Sequence, residues 1–571
     1  MNERTASPAP AEHPHSTLQF LGGAETVTGS KYLLTVGERR ILVDVGMFQG
    51  EKQLRARNWL PFPFDAAGIT DVLLTHAHMD HVGMLPRLVK QGFRGPVFAT
   101  EGTVRLAEIV LRDGAKIQEQ DARDANKGGW SKHSPALPLY TTEDVEATLP
   151  LFVTVPFDED LDLDDGIVAR YTRAGHILGS ASITVWTRST SVVFSGDLGR
   201  ATHPVLKPRD AAPGAPYALI ESTYGDREHP DPDLLPHEGF ADVVRRTLER
   251  GGSVLVPAFA VDRTEVVLKN IAELRRDGRI PHCPVYVDSP MANLALDVYR
   301  SMPEELRDDL RPEELLEFPD LHSVRTPDES MALTRDSNRR PSIIVAASGM
   351  ATGGRVLHHL QAMLPDRKNA VVLTGYQAVG TRGRQLVEGA TKLKMHGEYV
   401  KVRAEVFQDS EFSVHGDGSD LLDWLRELEP RPRTVYCVHG EPDSANALMS
   451  RIEAELPGVD AIVPTHNEIV VLDGMHAVPE SAPVPTLHPD RSLAPVPGAR
   501  DAAAAPTAPA AAPLAAATAA ITDYRLVTGA DAAELSAAVT AALGEGYVPY
   551  GGPGIGAVDG AAVYLQALVR R

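Results

Sequence analysis

The sequence predicts an α/β fold that is divided into more than one domain. Short apolar runs rich in β-branched residues alternate with amphipathic segments of helical spacing along most of the chain. Five of these runs end at, or within three residues of, a histidine or an acidic side chain: Asp44, His76, Asp197, Glu221 and His439. Because ligands gather at the carboxyl ends of strands in α/β sheets, the five side chains indicate a functional site.

Size and charge narrow the class of protein. A chain of 571 residues is too long for a single core and predicts two or three domains. Its 43% hydrophobic and 23% charged residues are ordinary for a globular protein. A formal net charge of -21 argues against indiscriminate binding to nucleic acid, so a nuclease of this composition would need a local basic track.

The sequence also predicts a cytoplasmic protein without a membrane partner. Residues 1–16 contain no apolar signal-peptide core, and no run of about 18 apolar residues occurs, so we expect neither export nor a membrane span. The two cysteines, Cys283 and Cys437, lie far apart in strand-like runs. We expect them to be buried without forming a disulfide, which fits a reducing compartment.

The runs before Asp44, His76, Asp197 and Glu221 occupy residues 41–43, 72–75, 192–194 and 218–220. A helix is expected after the second run and would end at Gly92, a suitable C′ residue. The spacing of its apolar face predicts this helix, and the face consists of Val82, Leu85, Leu88 and Val89.

A second strand–helix alternation runs from about residue 230 to residue 395. Buried parallel strands are predicted at 254–256, 285–287, 343–345 and 371–373, with helices at 264–276 and 355–363. Residues of the ligand type resume afterwards at His415 and His439. This order predicts a second α/β domain inserted within the first.

The C-terminal part differs in composition. Residues 475–520 are rich in proline and alanine, which predicts a flexible linker. Residues 521–571 predict a small βαβ-like α+β module with strands at 524–527 and 562–565. Its helix would have an apolar face of Leu535, Val539 and Leu543 and end at Gly544 and Gly546. The module resembles a bacterial domain of uncharacterised function, and its role and any homo-oligomerisation stay open.

The most specific motif is the hexad His76-Ala77-His78-Met79-Asp80-His81. In an extended segment His76 and His78 point the same way, whereas Asp80 and His81 begin the next turn. This arrangement offers two pairs of ligands, which suits two metal ions, and the nitrogen and oxygen donors favour zinc.

Two downstream residues complete this metal-binding pattern. His176 lies among glycines that would let the backbone approach the metals. Asp197 follows Gly196 after a strand, where its carboxylate could bridge two cations.

These residues, in this order, resemble the metallo-β-lactamase superfamily, which has a strand-end Asp, then His-x-His-x-Asp-His, a distant His and an Asp. The resemblance implies an αββα fold. It implies one zinc on His76, His78 and His176 and a second zinc on Asp80 and His81. Asp197 would bridge both ions, and Asp44 would orient a ligand imidazole without binding metal itself.

Three further segments, at residues 221–227, 412–417 and 438–441, resemble the signature motifs of the β-CASP nucleases. Val414 departs from the small residue that is usual in this family. The resemblance spans about residues 17–473 and is closest to bacterial enzymes similar to the pre-mRNA 3′-end cleavage endonuclease. It implies a metallo-β-lactamase domain in two parts, 17–225 and 395–474, with a β-CASP domain at 226–394.

The resemblance implies a ribonuclease with two Zn²⁺ per chain. Such an enzyme hydrolyses single-stranded RNA, mainly endonucleolytically, by a metal-bridging hydroxide and leaves 5′-phosphate and 3′-hydroxyl ends. His439 would complete the second zinc site, and Asp80, Glu221 and His415 would be catalytic. Glu221 would keep His415 protonated, so that His415 could donate a proton to the leaving 3′ oxygen.

A glycine-rich turn before the predicted helix at 355–363 is a candidate for binding RNA phosphates, because helix N-termini and arginine forks suit anions. The residues are Ser348, Gly349, Gly353, Gly354 and Arg355, together with Arg382 and Arg384. A plain turn before a helix is the alternative interpretation.

Two other functions stay open on the sequence. The first is a metallo-β-lactamase-fold hydrolase that acts on DNA or on a small-molecule ester. Glu221, His415 and His439 argue against the ester but do not separate RNA from DNA. The second is a non-catalytic RNA-processing scaffold, against which the complete set of ligands argues.

Overall fold

A computed structural model describes residues 16–129, 131, 133–229, 236–310, 318–337 and 339–472, and the backbone of four strands between 523 and 570. The chain divides into two compact units, Met1–Pro483 and Val484–Arg571. The predicted linker and the predicted helix of the C-terminal module lie outside the described residues. In the described part of the chain no helix has the length and apolarity needed to cross a bilayer.

The first unit begins with two groups of strands. The first group is β1 (Ser16–Gly22), β2 (Lys31–Val36), β3 (Arg39–Val43), β4 (Asp71–Leu73), β5 (Val97–Thr100) and β6 (Phe152–Val155). The second group is β7 (Asp160–Asp162), β8 (Val168–Arg173), β9 (Ala181–Trp186), β10 (Ser191–Phe194) and β11 (Tyr217–Glu221). Five helices lie between strands of the first group: α1 (Lys52–Arg57), α2 (Met79–Val82), α3 (Leu85–Lys90), α4 (Glu101–Gly128) and α5 (Thr142–Thr148).

An inserted α/β domain follows. Its strands are β12 (Val254–Pro257), β13 (Val285–Val287), β14 (Leu321–Ser323), β15 (Ile343–Ala346), β16 (Ala370–Leu373), β17 (Lys392–Met395), β18 (Glu398–Lys401) and β19 (Glu405–Gln408). Its helices are α6 (Glu238–Glu249), α7 (Arg263–Arg276), α8 (Pro290–Arg300), α9 (Pro327–Asp336), α10 (Val356–Met363) and α11 (Arg382–Val387). The main sheet is parallel throughout, in the order β14-β13-β15-β12-β16-β19. All four predicted strands belong to it, and β19 joins it from beyond residue 394.

The chain then returns to the first domain through α12 (Gly418–Glu427), β20 (Thr434–Val438), α13 (Pro442–Glu455), β21 (Asp460–Ile462) and β22 (Ile469–Leu472). These strands complete two seven-stranded sheets, in the orders β22-β1-β2-β3-β4-β5-β6 and β21-β20-β11-β10-β9-β8-β7. The two sheets are therefore built from both sides of the insertion, as the sequence predicts.

Alternation along the strands produces the layers of the first domain. In β3, Ile41 faces the core shared by the two sheets, whereas Leu42 faces the core that includes α3 and α4. In β10, Phe194 faces the shared core, whereas Val193 packs with α12 and α13. Successive side chains of a strand point to opposite faces, so both sheets are covered on both sides. The predicted αββα layering is confirmed.

The helix predicted after the hexad is divided into two short helices. α2 ends at Val82 and α3 begins at Leu85. Pro86 lies in the first turn of α3, where its missing N–H is tolerated, but it could not continue the preceding helix. Gly92 follows the cap residue Gln91 with a φ of 118°, in agreement with the predicted helix end.

The second unit contributes β23 (Asp523–Gly529), β24 (Val548–Pro549), β25 (Gly554–Val558) and β26 (Ala561–Arg570). β23 pairs antiparallel with β26, and so do β24 and β25. The predicted strands are present, but the βαβ-like expectation is wrong, because that unit would require a parallel pair.

Trp424 of α12 should be critical for stability. Its side chain is only 1% exposed and packs in the core between α12, α13 and the second sheet. Trp424→Ala should lower the free energy of unfolding by about 3–5 kcal/mol, because it leaves a large cavity. Leu294→Ala, at a side chain that is 53% exposed, is the control and should change it by less than about 0.5 kcal/mol. Urea unfolding followed by circular dichroism measures both, and equal midpoints would contradict this assignment.

Candidate metal centre

The carboxyl ends of neighbouring strands bring the predicted ligands together. β3 and β4 are parallel neighbours in the first sheet and lead to Asp44 and His76. In the second sheet β10, β11 and β20 are parallel neighbours and lead to Asp197, Glu221 and His439. All five residues are at most 4% exposed. The carboxyl ends of these strands thus bring side chains that are far apart in the sequence into one buried site.

Two groups of donor atoms form this site. The ligand atoms of His76, His78, His176 and Asp197 all lie within 4.8 Å of one another, and so do those of Asp80, His81 and His439. Asp197 connects the groups. Its Oδ2 lies 3.6 Å from His76 Nε2, whereas its Oδ1 lies 3.4 Å from His81 Nε2. The carboxylate is therefore shared between two clusters of imidazoles, as a bridging ligand would be.

The donor set fits metal ions. His78 Nδ1 lies 3.1 Å from His76 Nε2 and 3.3 Å from His176 Nε2, so three ring nitrogens converge on one point. Among the described residues Asp197 Oδ1 is buried without a hydrogen-bond partner. Converging lone pairs and an unpaired buried carboxylate oxygen are costly unless a cation lies between them. Imidazole and carboxylate donors are also the ligands that zinc takes at catalytic sites.

Electrostatics prepare the first group for metal binding. Burial, reinforced by neighbouring imidazoles, holds the pKa of His76 and His176 well below the ordinary value. Burial lowers the pKa of His78 to about 4, although Asp80 opposes it. All three imidazoles are therefore neutral at physiological pH, which is the form that coordinates a metal.

The second group is different because carboxylates surround it. Burial acts to lower the pKa of His81, but Asp197 and Asp44 raise it to about 10. Burial acts to raise the pKa of Asp80, but His439 and His81 lower it below the ordinary value. A metal that binds here must displace a proton from His81, so its affinity should increase with pH.

Asp44 contacts Thr75 and His81. One Asp44 oxygen accepts hydrogen bonds from the backbone N–H and the other from the hydroxyl of Thr75, both at 2.8 Å. Asp44 Oδ2 lies 2.7 Å from His81 Nδ1, which leaves Nε2 to face Asp197 and His439. Asp44 has a φ of 58°, a conformation that costs a non-glycine residue roughly 1–3 kcal/mol and is often found at functional sites.

Glu221 and His415 form a pair beside the first group. Fully buried Glu221 accepts a hydrogen bond from the backbone N–H of Leu198 at 2.6 Å, and its Oε2 lies 3.1 Å from His415 Nδ1. Burial acts to lower the pKa of His415, but Glu221 raises it above the ordinary value; His415 in turn lowers the pKa of Glu221. The His415 ring centroid lies 4.4 Å from that of His176. The pair can therefore hold a proton next to the first donor group.

The centre opens into a cavity of about 1190 Å³ between the first domain and the inserted domain. The first domain contributes His78, Asp80, His176, Asp197, His415 and His439 to its wall. The inserted domain contributes, among others, Phe259, Asp262, Arg263, Asp288, Met350 and Tyr376. A substrate bound at the donor groups would therefore contact both domains.

The predicted phosphate-binding residues are only partly placed at this cavity. Ser348, Gly353, Gly354 and Arg355 line it, whereas Gly349, Arg382 and Arg384 do not. The three arginines are engaged by the protein: Arg355 with Asp288 at 2.7 Å, Arg382 with three carbonyls, and Arg384 with Glu388 at 2.7 Å. The first amide of α10, at Val356, donates to Ala347. A phosphate contact by these residues stays a prediction.

The glycines around His176 have a different role from the expected one. Gly175 and Gly179 have φ values of 69° and 76°. A Cβ at Gly175 would lie 2.7 Å from the backbone nitrogen of Arg209, and one at Gly179 would lie 2.4 Å from that of Thr103. They permit close packing of backbone segments, and no approach of the backbone to a metal is needed to explain them.

Sequence reasoning missed the buried polar residues that the inserted domain brings to the cavity. Asp288 directly follows β13, and Asp262 and Arg263 lie at the start of α7, a few residues after β12. The signal was available, because the rule of strand ends that identified Asp44 and Asp197 applies equally to these strands.

Comparisons with known proteins agree with this geometry. Family models match in order: the metallo-beta-lactamase superfamily at residues 26–258, the Beta-Casp domain at 265–386, and a Zn-dependent metallo-hydrolase RNA specificity domain at 399–464. A domain of unknown function matches residues 521–571. The protein is thus a hydrolase of the metallo-β-lactamase superfamily.

Within that superfamily the chain belongs to the β-CASP family. It is 39% identical to Ribonuclease TTHA0252 of Thermus thermophilus, over 75% of this chain and 94% of that protein. It is 33% identical to the transcription termination factor FttA of Methanosarcina mazei, over 76% of this chain and 68% of that protein. The FttA of Pyrococcus abyssi is 31% identical, over 79% and 70% of the two chains.

The close approach of the backbone at residue 46 to the backbone of Asp80 should require a glycine, Gly46. A Cβ at this position would lie 1.6 Å from the Asp80 carbonyl oxygen, so Gly46→Ala must displace the segment of the hexad. We expect metal affinity to fall by about tenfold or more, as for other changes that reorient ligands. Gly68→Ala, whose Cβ would meet nothing closer than 3.4 Å, is the control. Competition with a chromophoric chelator measures both, and equal affinities would contradict this role.

The depressed pKa values of the first group should make the stability of the metal-free protein depend on pH. In the metal-free protein His76, His78 and His176 have depressed pKa values, so the unfolded state binds protons more readily than the folded state. Their contribution to stability should fall as pH decreases from the ordinary value of 6.5 towards the value of about 4 for His78. Thermal unfolding of chelator-treated protein between pH 7 and pH 4.5 tests this. If chelator-treated His78→Gln protein loses as much stability over this range as chelator-treated wild type, the depressed pKa of His78 does not contribute to the loss.

Proposed function

We propose that the protein is a zinc-dependent ribonuclease that cuts single-stranded RNA, mainly at internal phosphodiester bonds, leaving 5′-phosphate and 3′-hydroxyl ends. The observation that carries the proposal is the Glu221–His415 pair beside a carboxylate that joins two donor groups. A simple esterase centre does not require such a pair. The similarity to a protein named as a ribonuclease supports RNA as the substrate.

Two zinc ions are the proposed cofactor. His76, His78 and His176 would hold one ion, Asp80, His81 and His439 would hold the other, and Asp197 would contact both. Bound zinc supplies a Lewis acid that lowers the pKa of a coordinated water and neutralises phosphate charge. The protein supplies neutral imidazoles in the first group and an Asp44-oriented imidazole in the second.

His415 is the proposed general acid. Its Nδ1 faces Glu221, so Nε2–H is the atom that can donate a proton to the leaving 3′ oxygen. The raised pKa keeps the imidazole protonated, and the side chain is 15% exposed, so it can reach a substrate in the cavity.

The wall of the cavity supports a single-stranded substrate. Trp59, Phe259 and Tyr376 line it, and Trp59 is 54% exposed. Aromatic side chains stack on unpaired bases, which a duplex would keep in its own stack. With a net charge of -21, the protein cannot rely on global attraction of RNA. The two cysteines are buried and free, which fits the proposed cytoplasmic location.

His415→Ala tests the proposal on a 5′-labelled structured RNA and on DNA of the same sequence. We expect internal cuts in unpaired RNA segments by the wild type and a loss of about 10²–10⁴-fold in the variant, as for removal of a general acid. His322→Ala, an exposed histidine of the inserted domain, is the control. Equal activity of wild type and His415→Ala would reject the role of His415. Preferential cutting of DNA would reject the substrate, and less than one zinc per purified chain would reject the cofactor.

Glu221→Gln should shift the pH profile of cleavage. Glu221 raises the pKa of His415, and activity that needs protonated His415 is lost as pH rises through that pKa. Without the Glu221 carboxylate, burial lowers the pKa of the imidazole and Asp197 is left to raise it, so the alkaline limb should move to lower pH. Glu101→Gln, on an exposed side chain, should leave the profile unchanged. An unmoved alkaline limb in Glu221→Gln would show that His415 is not the group that titrates.

A further inference from the structure

A buried chain of hydrogen bonds connects the inserted domain to two of the three segments that carry ligands of the first donor group, those of His176 and Asp197. Tyr299 on α8 donates its hydroxyl hydrogen to Asp262 Oδ1 at 2.9 Å and accepts a hydrogen bond from the backbone N–H of Leu178 at 3.2 Å. Leu178 lies two residues after His176. Asp262 Oδ2 lies 3.3 Å from Nε2 of His203, in the segment that follows Asp197.

The direction of each hydrogen bond is determined by its partners. His203 Nδ1 accepts from the backbone N–H groups of Val205 at 3.1 Å and Leu206 at 2.9 Å, so its Nε2 carries the hydrogen that Asp262 accepts. His203, Asp262 and Tyr299 are at most 1% exposed. A fully satisfied buried polar network constrains the groups that it joins to one arrangement.

The backbone of Asp262 is strained. Its φ of 65° and ψ of -52° are unusual for a residue with a side chain. Such strain persists only where the surrounding structure requires it, and it is concentrated at functional sites. One turn later in α7, both oxygens of buried Glu265 lack a partner among the described residues, and burial together with Asp262 raises the pKa of Glu265 well above its ordinary value. Glu265 is therefore neutral.

Backbone hydrogen bonds also join the segment that follows His203 to the inserted domain. The N–H of Lys207 donates to the carbonyl of Glu305 at 3.0 Å, and the N–H of Arg307 donates to the carbonyl of Val205 at 3.0 Å. Leu206 and Leu306 form an isolated β-bridge. The segment after Asp197 is thus paired with the inserted domain as well as hydrogen-bonded to Asp262.

We infer that Asp262 is a positioning residue of the metal centre, acting through Tyr299 on the loop of His176 and through His203 on the segment after Asp197. The first donor group then has its observed geometry only while the inserted domain is in place. Metal retention and the arrangement of the cleft are coupled through this carboxylate. The inference uses the proposed function for its catalytic readout only.

Three variants distinguish the two branches of the hydrogen-bond chain, one through Tyr299 and the other through His203. Tyr299→Phe removes the hydroxyl that joins Leu178 to Asp262. Asp262→Gly removes the carboxylate and also relieves the strained φ, because glycine adopts positive φ freely, so folding should be retained. Asp262→Asn keeps an oxygen for Tyr299 but places an amide against the N–H of His203. Tyr286→Phe, in the same domain and stacked on His322, is the matched control.

The first readout is the rate at which the full-length, zinc-loaded protein loses zinc to a chromophoric chelator. Tyr299→Phe and Asp262→Gly should release zinc about tenfold faster than wild type, the lower end of the effect of outer-shell changes on metal affinity. Asp262→Asn should release it at an intermediate rate, because the contact with Tyr299 is retained and the contact with His203 is lost. Wild-type release by Tyr299→Phe, or equally fast release by Asp262→Asn and Asp262→Gly, would overturn the inference.

The second readout is cleavage of single-stranded RNA. Tyr299→Phe and Asp262→Gly should lower kcat with little change in KM, because the substrate contacts remain while the ligands are misplaced. A change in KM alone would overturn the positioning role. A wild-type enzyme that binds zinc but does not cut RNA would reject the proposed function, and the zinc-release measurement would still decide the role of Asp262.

Discussion

The carboxylate of Asp197, held between two clusters of buried imidazoles, is the interaction on which the rest of the structure depends. One of its oxygens faces His76 and His176, and the other faces His81 and His439. Such a concentration of buried donors is unfavourable in a metal-free core. The ends of parallel strands in two packed sheets can hold it, because their backbone hydrogen bonds are already satisfied by neighbouring strands.

The pKa values of the histidines follow from this arrangement and divide them into two kinds, neutral and protonated. Where imidazoles surround one another, burial and mutual repulsion keep them neutral, as for His76. Where carboxylates surround an imidazole, as for His81 and His415, the positive charge is favoured in spite of burial. The same physical balance therefore produces neutral imidazoles and a protonated imidazole a few ångströms apart.

The inserted domain, like the first, carries buried polar side chains after the carboxyl ends of its strands. Its strands β12 and β13 also lead to buried carboxylates, Asp262 and Asp288, and these face the same cavity. They do not join the donor groups. Asp288 binds Arg355 and His359 at 2.7 Å, and Asp262 binds Tyr299 and His203. The insertion thus contributes a wall and supports to the centre rather than ligands, and Arg355 is held as part of that wall.

The sequence by itself determined the α/β class, the insertion and the set of residues that meet at the candidate metal centre. These features depend on local patterns: apolar runs that end at ligand-type residues, and a hexad whose spacing can be interpreted without knowledge of distant partners. Only the tertiary structure decided that Asp197 divides its oxygens between two groups, that Arg355, Arg382 and Arg384 are engaged by the protein, and that Asp262 reaches the loop of His176. The physical reason is that hydrogen-bond partners and close backbone contacts join segments tens to hundreds of residues apart, and no local pattern in the chain encodes which of them will meet.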